Sequence, residues 1–223
     1  MSLGTSSTMQ LSEERPDNQP AESADTQLYH IYHDRWCQDY KITTPAGQQL
    51  YYVDCSTFTN NKPDLTVHAG SNNKAPVAAM CKFMHFSRDF CFGLGDPELP
   101  AQVEWEDVVC QGLRRSHYRW QMNLPSGRRT FIWKRTHAVS VEDARLTSIS
   151  YRNYKLVDEA TGRILAAFTN DYLSIKKVGH FQVSADYGKE FDLIALLTVL
   201  GLYEKGSRRH KRIAAASAAA SGG

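Results

Sequence analysis

The sequence predicts a mainly β protein, an antiparallel sheet curled into a closed barrel with one hydrophobic helix near the C-terminus filling its interior. Three observations lead there. Short runs of β-branched and aromatic residues recur roughly every eight to twelve residues, separated by turn chemistry. Aromatic residues make up 11% of the chain, and aromatic side chains favour strands. Against that background one segment, Phe191 to Tyr203 (FDLIALLTVLGLY), is rich in Leu and Ala and apolar on every side.

Residues 1–27 carry five acids against the single Arg15 and few large apolar groups. Burial cannot offset the entropy of ordering such a segment, so it reads as a disordered acidic arm. A single folded domain is expected over 28–205. Its strand candidates are Asp39–Thr44, Gln48–Ser56, Leu65–Ala69, Pro76–Phe83, Asp89–Leu94, Gln102–Val109, His117–Leu124, Arg128–Thr136, Tyr154–Val157, Ile164–Phe168 and Val178–Ser184. Pro45-Ala46-Gly47, Pro125-Ser126-Gly127 and Glu159-Ala160-Thr161-Gly162 each place a glycine where a hairpin turn requires positive φ. At Pro125 a two-residue loop sets Trp120 opposite Phe131 and Tyr118 opposite Trp133. Four aromatics then share one face, and Arg119, Arg128 and Lys134 lie on the other. A bulge at Gly127 would shift the pairing by one, so which basic residues face outward stays open, with the aromatic-matched register preferred.

The hydrophobic segment near 190–204 breaks the β pattern. Roughly thirteen residues of helix span about 20 Å, against about 30 Å of bilayer hydrocarbon, so a membrane span is the weaker reading. A helix apolar all round must be enclosed by protein, and the enclosure available here is the sheet itself. Lys205, Arg208, Arg209, Lys211 and Arg212 follow, suited to the negative end of the helix dipole. The remainder of the 206–223 tail (IAAASAAASGG) is low in complexity and reads as flexible.

The strand string, hydrophobic helix and basic exit resemble the tubby C-terminal-like superfamily, which includes the tubby, LURP-one-related and phospholipid scramblase families. The local echoes are Tyr154-Lys155-Leu156-Val157-Asp158 through Gly162-Arg163-Ile164-Leu165-Ala166, the strand around Lys176-Lys177-Val178-Gly179, and LIALLTVLGLYEK. The resemblance implies a closed barrel of about 12 strands around a central helix. It also implies recognition of phosphoinositide headgroups, as in tubby proteins, or membrane contact, as in scramblases. No tubby headgroup-binding residue is matched position by position.

Motifs for chemistry are sparse. The five cysteines are odd in number and scattered, there is no secretory signal and no N-x-S/T acceptor, and a reducing, cytoplasmic setting is expected, peripheral to a membrane or nuclear. His30 and His33 form the only close histidine pair and lack a metal-site frame. The other six histidines are dispersed. The S-x-x-K matches Ser71–Lys74 and Ser174–Lys177, the Gly93-Leu94-Gly95 turn and the Glu104/Glu106 pair each fit ordinary structural roles better than catalysis. No cofactor is implied.

Basic charge remains. The net charge of +2 conceals a folded part about six units positive, once the acidic arm is set aside. The anion- or lipid-binding candidates are Arg119, Arg128, Lys134, Lys176, Lys177, Arg208, Arg209, Lys211 and Arg212. The sequence thus points to a binding module for anionic phospholipid headgroups at a membrane surface. A nuclear or protein-interaction module, with the RRHKR run as import signal, is the alternative. Nucleic acid is disfavoured, because aromatics beside basic residues in strands more often fill a core than stack on bases.

Overall fold

The computed structural model describes residues 26–34, 38–57, 62–95, 101, 103–112, 117–136 and 152–221. Its strands are β1 (Gln27–His33), β2 (Tyr40–Thr43), β3 (Gln49–Cys55), β4 (Leu65–His68), β5 (Val77–Phe83), β6 (Phe90–Leu94), β7 (Glu104–Gln111), β8 (His117–Leu124), β9 (Gly127–Arg135), β10 (Tyr154–Asp158), β11 (Ile164–Asn170) and β12 (Lys177–Val183). One helix, α1 (Lys189–Ser221), follows. Each strand pairs antiparallel with its sequence neighbours, and β12 returns to β1, closing the barrel. Closure removes the two free edges that an open sheet would expose.

The strands fall where turn chemistry separates apolar runs, with one addition. QLYHIYH, notable in the sequence for its histidines, forms β1 and closes the ring between β12 and β2. Tyr29 and Ile31 alternate into the core there. Of the expected acidic arm only Thr26 and Gln27 lie among the described residues, and Gln27 opens β1.

The hairpin at Pro125 adopts the aromatic-matched register: Tyr118 pairs with Trp133, Trp120 with Phe131 and Leu124 with Gly127. Gly127 takes φ +110°, a region that L residues avoid, so the tight turn closes without a bulge shifting the pairs. All four aromatics are buried, and alternation along β8 and β9 sends Arg119, Arg128 and Lys134 to the outer face. Gly93 lies inside β6 rather than in a turn. A Cβ there would come within 2.7 Å of Val103 and 3.1 Å of Trp105, so the absent side chain lets Trp105 lie flat on the wall.

Loop acids fasten one end of the barrel. Asp39, Asp64 and Asp89, evenly spaced in sequence, each precede an even-numbered strand. Each accepts a backbone N–H from the far end of the following odd-numbered strand, respectively Cys55 (2.8 Å), Phe83 (2.7 Å) and Cys110 (2.7 Å). Asn153, before β10, does the same for Asn170 at 2.9 Å. Strand ends otherwise leave such donors exposed to water.

The helix fills the interior. Every residue from Phe191 to Glu204 is buried, and strands from all around the ring contribute to the one core cluster. Phe191 sits 5.0 Å from Phe131 and 6.2 Å from Trp120, centroid to centroid, and Tyr203 lies 6.0 Å from Phe168. The buried hydroxyl of Thr198 accepts from Trp133 Nε1 at 2.9 Å and donates to the Ile194 carbonyl at 2.8 Å, so this polar group inside the plug is satisfied.

Past the rim the helix runs on to Ser221, where the sequence reading places a flexible tail beginning at 206. Alanine has the highest helix propensity, and a helix already nucleated inside the barrel extends at one hydrogen bond per residue. The basic run is therefore in mid-helix and not at its C-terminal end, and its placement owes nothing to the helix dipole.

Gly201 marks where the plug approaches the wall most closely. A Cβ there would stand 3.0 Å from the Phe90 ring and 3.3 Å from Cys81 Sγ. Gly201→Val should therefore destabilise the protein by about 3 kcal/mol through overpacking, read as a lower midpoint in urea unfolding, whereas Gly206→Val, at a helix position with nothing within 4 Å, should leave the midpoint nearly unchanged.

Candidate functional site

The helix starts at a lower mouth of the barrel and leaves through an upper rim. At the rim His33, on the last position of β1, lies 6.5 Å from Tyr203, and Lys205 Nζ lies 5.2 Å above the Phe83 ring at the end of β5. The β1–β2, β3–β4, β5–β6 and β11–β12 loops therefore surround the helix exit.

A buried ionic cluster fixes the helix there. Glu204 is 3% exposed, and Tyr40 donates its hydroxyl proton to Glu204 Oε2. Arg208 Nε donates to Glu204 Oε1 at 2.7 Å, its Nη1 to Asp64 Oδ1 at 2.6 Å, and its Nη2 to the Ser56 carbonyl at 2.9 Å. Its guanidinium also rests 5.0 Å over the Phe83 ring. Burial disfavours the charge on Arg208, but the hydrogen bonds and attraction of Glu204 and Asp64 outweigh it and push its pKa up. Lys205 donates to the Asp89 carbonyl, and burial lowers its pKa. Burial, then the Glu204 carboxylate, drives the Tyr40 phenol well above its usual range.

The nine basic candidates divide into two groups. Arg119, Arg128 and Lys134 lie on the outer wall. Arg119 forms a two-pronged pair with Glu159, both contacts at 2.9 Å. Hydrogen bonding in this pair raises the Arg119 pKa and lowers that of Glu159. Arg128 reaches across β8 to Glu106 at 2.7 Å, also touching Gln121 and Asn123. Lys134 adds a favourable field on Glu159.

Lys176, Lys177, Arg208, Arg209, Lys211 and Arg212 gather at the upper rim and on the emerging helix. Lys177 stands 5.6 Å over the Tyr32 ring, and Arg208 is held inside the cluster just described. Lys176, Arg209, Lys211 and Arg212 are exposed.

Two apolar loop tips at the same rim escape a search for basic residues. The β5–β6 loop carries Met84 and a fully exposed Phe86 at φ +57°, a conformation seldom adopted by an aromatic residue. The β11–β12 loop carries Tyr172, Leu173 and Ile175, the last 97% exposed, directly before Lys176. In ring order these loops lie on opposite sides of the barrel. The sequence signal is apolar residues inside the turn segments MHFSRD and DYLSIK, where turns are normally polar. Ile213 adds an exposed apolar side chain just past the basic helix residues.

The lower mouth is acidic and quieter. Asp192 is 8% exposed, and its Oδ1 has no hydrogen-bond partner among the described residues. Burial, then repulsion from Asp186, raises its pKa to about 6. Nearby, Asp158 is held low despite its burial, by N–H groups of Thr161 and Ala160 and by Arg129 at 3.2 Å.

No family model matches the chain, and no curated protein is found that resembles it. Among the described residues no helix is long and apolar enough to cross a membrane, and no three His, Cys, Asp or Glu side chains are grouped as metal ligands.

Arg208→Ala leaves Glu204 and Asp64 without their cation inside the rim. It should lower stability by about 3 kcal/mol, read by chemical denaturation at pH 7, while the exposed Arg209→Ala should change it by less than about 0.5 kcal/mol. Asp192 works in the opposite sense. Its folded pKa lies above the unfolded value of 3.8, so the folded state binds more protons between about pH 4 and 6, and stability falls as pH rises through that window. Asp192→Asn should consequently stabilise the protein by about 1–2 kcal/mol above pH 7 and by almost nothing below pH 4, as read from parallel urea titrations across that range.

Proposed function

We propose that the upper rim docks on an anionic membrane surface. The observation that carries this reading is the union, at one end of the barrel, of two exposed apolar loop tips with the exposed cations Lys176, Arg209, Lys211 and Arg212. Exposed apolar groups ringed by positive charge suit a surface whose headgroups are negative and whose depth is hydrocarbon. Phe86 adds weight, since an aromatic held at positive φ and entirely in water is costly in free solution. The tubby-like resemblance of the sequence points the same way.

In this arrangement Phe86, Leu173 and Ile175 enter the interface from either side of the helix, and the basic residues meet the phosphates. Beyond Arg212 the helix segment from Ile213 to Ala220 bears no charge, so its approach to lipid is unopposed by ion desolvation. Its eight residues rise about 12 Å, which reaches into one leaflet only. Arg208 serves as the structural anchor of the helix in this reading and not as a headgroup ligand. Arg119 and Arg128, engaged by Glu159 and Glu106, contribute to the long-range field at most.

Vesicle co-sedimentation tests the reading with stably folded variants. Binding to vesicles of about one-third phosphatidylserine at low salt is expected, with little binding to neutral vesicles. Each cation near such a surface contributes about 1 kcal/mol, so the triple variant Arg209→Gln, Lys211→Gln, Arg212→Gln should lose more than about tenfold in partitioning. Phe86→Ser with Ile175→Ser should weaken binding comparably by removing buried apolar area. Absence of binding to anionic vesicles, or binding indifferent to both sets of changes, would overturn the proposal and favour a protein-interaction role for the rim.

A further inference from the structure

The barrel wall has one weak seam. β7 and β8 are eight residues each, yet their pairing is confined to Val109 with Arg119, Cys110 with Tyr118 and Gln111 with His117. The other neighbour of β8 pairs with it at eight positions. Below Val109 the two strands part, so that Glu104–Val108 bonds only to β6 and Trp120–Leu124 only to β9. Between them lies an open cleft of about 470 Å³, lined by Trp105, Asp107, Val109, Arg119, Trp120 and Gln121.

Three features make this cleft more than a gap. The backbone N–H and C=O groups of Glu104–Val108 that point away from β6, and those of Trp120–Leu124 that point away from β9, have no strand opposite them. Such edges are templates for another strand. Trp120, 1% exposed, has an indole N–H without a hydrogen-bond partner among the described residues, and it lines the cleft. A buried donor of this kind normally has an acceptor. Finally, the rim of the cleft is apolar and acidic. Trp105 and Val109 are exposed, and so is Asp107 on the same outward face, while the cationic Arg119 and Arg128 nearby are already engaged by Glu159 and Glu106.

We propose that this seam binds an extended polypeptide segment carrying a basic side chain, which enters as a short additional strand between β7 and β8. Its main chain pairs with the exposed strand edges, one of its carbonyls accepts the Trp120 indole N–H, and its outward basic residue lies against Asp107 and the face of Trp105. Arg128, reaching over β8 to Glu106, ties the two strands across the seam and limits how far they part. The site is on the side wall and is separate from the membrane-docking rim.

The test selects from a randomised hexapeptide library displayed on phage, using the full chain as bait, and synthesises the enriched peptides. Alternating sequences with Lys or Arg at one outward position are expected. N-methylation of successive peptide amides should weaken binding by about tenfold or more at every second position and by less than about threefold between, the signature of one-sided strand pairing. Asp107→Lys, a change at an exposed position, should abolish binding of the basic peptides with the circular dichroism spectrum and melting temperature unchanged. Trp120→Phe, which retains an aromatic ring against Phe92 and Phe131 but lacks the donor, should weaken it. No enrichment over bait-free beads, a uniform effect of N-methylation along the peptide, or affinity undiminished in Asp107→Lys would overturn the proposal.

Discussion

The structure depends on one constraint: a helix without a polar face has to be surrounded. The fourteen residues from Phe191 to Glu204 offer no side to water, so the wall around them must close and must present apolar groups in every direction. Alternation along twelve strands supplies that lining. It is tuned to the helix locally, with Gly201 yielding space to Phe90 and Cys81 and with Thr198 matched to the indole of Trp133. Where the helix leaves, the constraint turns electrostatic. Arg208 is pinned between an acid of its own helix and an acid of the β3–β4 loop, which fixes the plug against sliding along the barrel axis.

A filled barrel has no interior to offer a ligand, and this shapes where function can reside. Much of the surface charge is used internally, in pairs such as Arg119 with Glu159, Arg128 with Glu106 and Arg129 with Asp158. Exposed pairs of this type add little stability and chiefly cancel one another's fields. The cations outside such pairs are concentrated near the upper rim and helix, close to the apolar loop tips. The wall itself departs from uniform pairing along β7, the strand with the most exposed residues, and there the departure coincides with a buried donor lacking an acceptor.

Much of this was legible in the sequence, because its signals are local. Turn glycines and alternating aromatics locate eleven of the strands, and the matched aromatics around Pro125 select the correct register over the bulged one. β1 was hidden because its histidines read as a potential ligand pair, whereas His30 in fact faces outward against His180 and His33 stacks beside Tyr40 at the rim. The helical continuation through the Ala-rich segment was hidden by low complexity, although alanine propensity was visible in it. The basic candidates were found as residue types, but their partners come from distant strands. Nothing in the run RRHKR distinguishes Arg208, which is consumed by Asp64 from far earlier in the chain, from Arg209, which is exposed. The parting of β7 from β8 has no sequence signal beyond Trp105 and Val109 on an outward face.

The order of elements also governs how the protein is made. The filling comes after the wall: all twelve strands leave the ribosome before the helix that their inner faces require, at roughly 5–20 residues per second. Until then Trp120, Trp133, Phe131 and Phe168 have no partner surface, and the ring cannot seal, because its last pairing joins Val183 to Gln27. Closing so long a loop precedes any reward from the contacts it makes, which places the protein among slow folders of high contact order. The nascent wall is thus an apolar sheet with two open edges for seconds, a period in which chaperone shielding and the speed of translation through the helix decide between a sealed barrel and an aggregate.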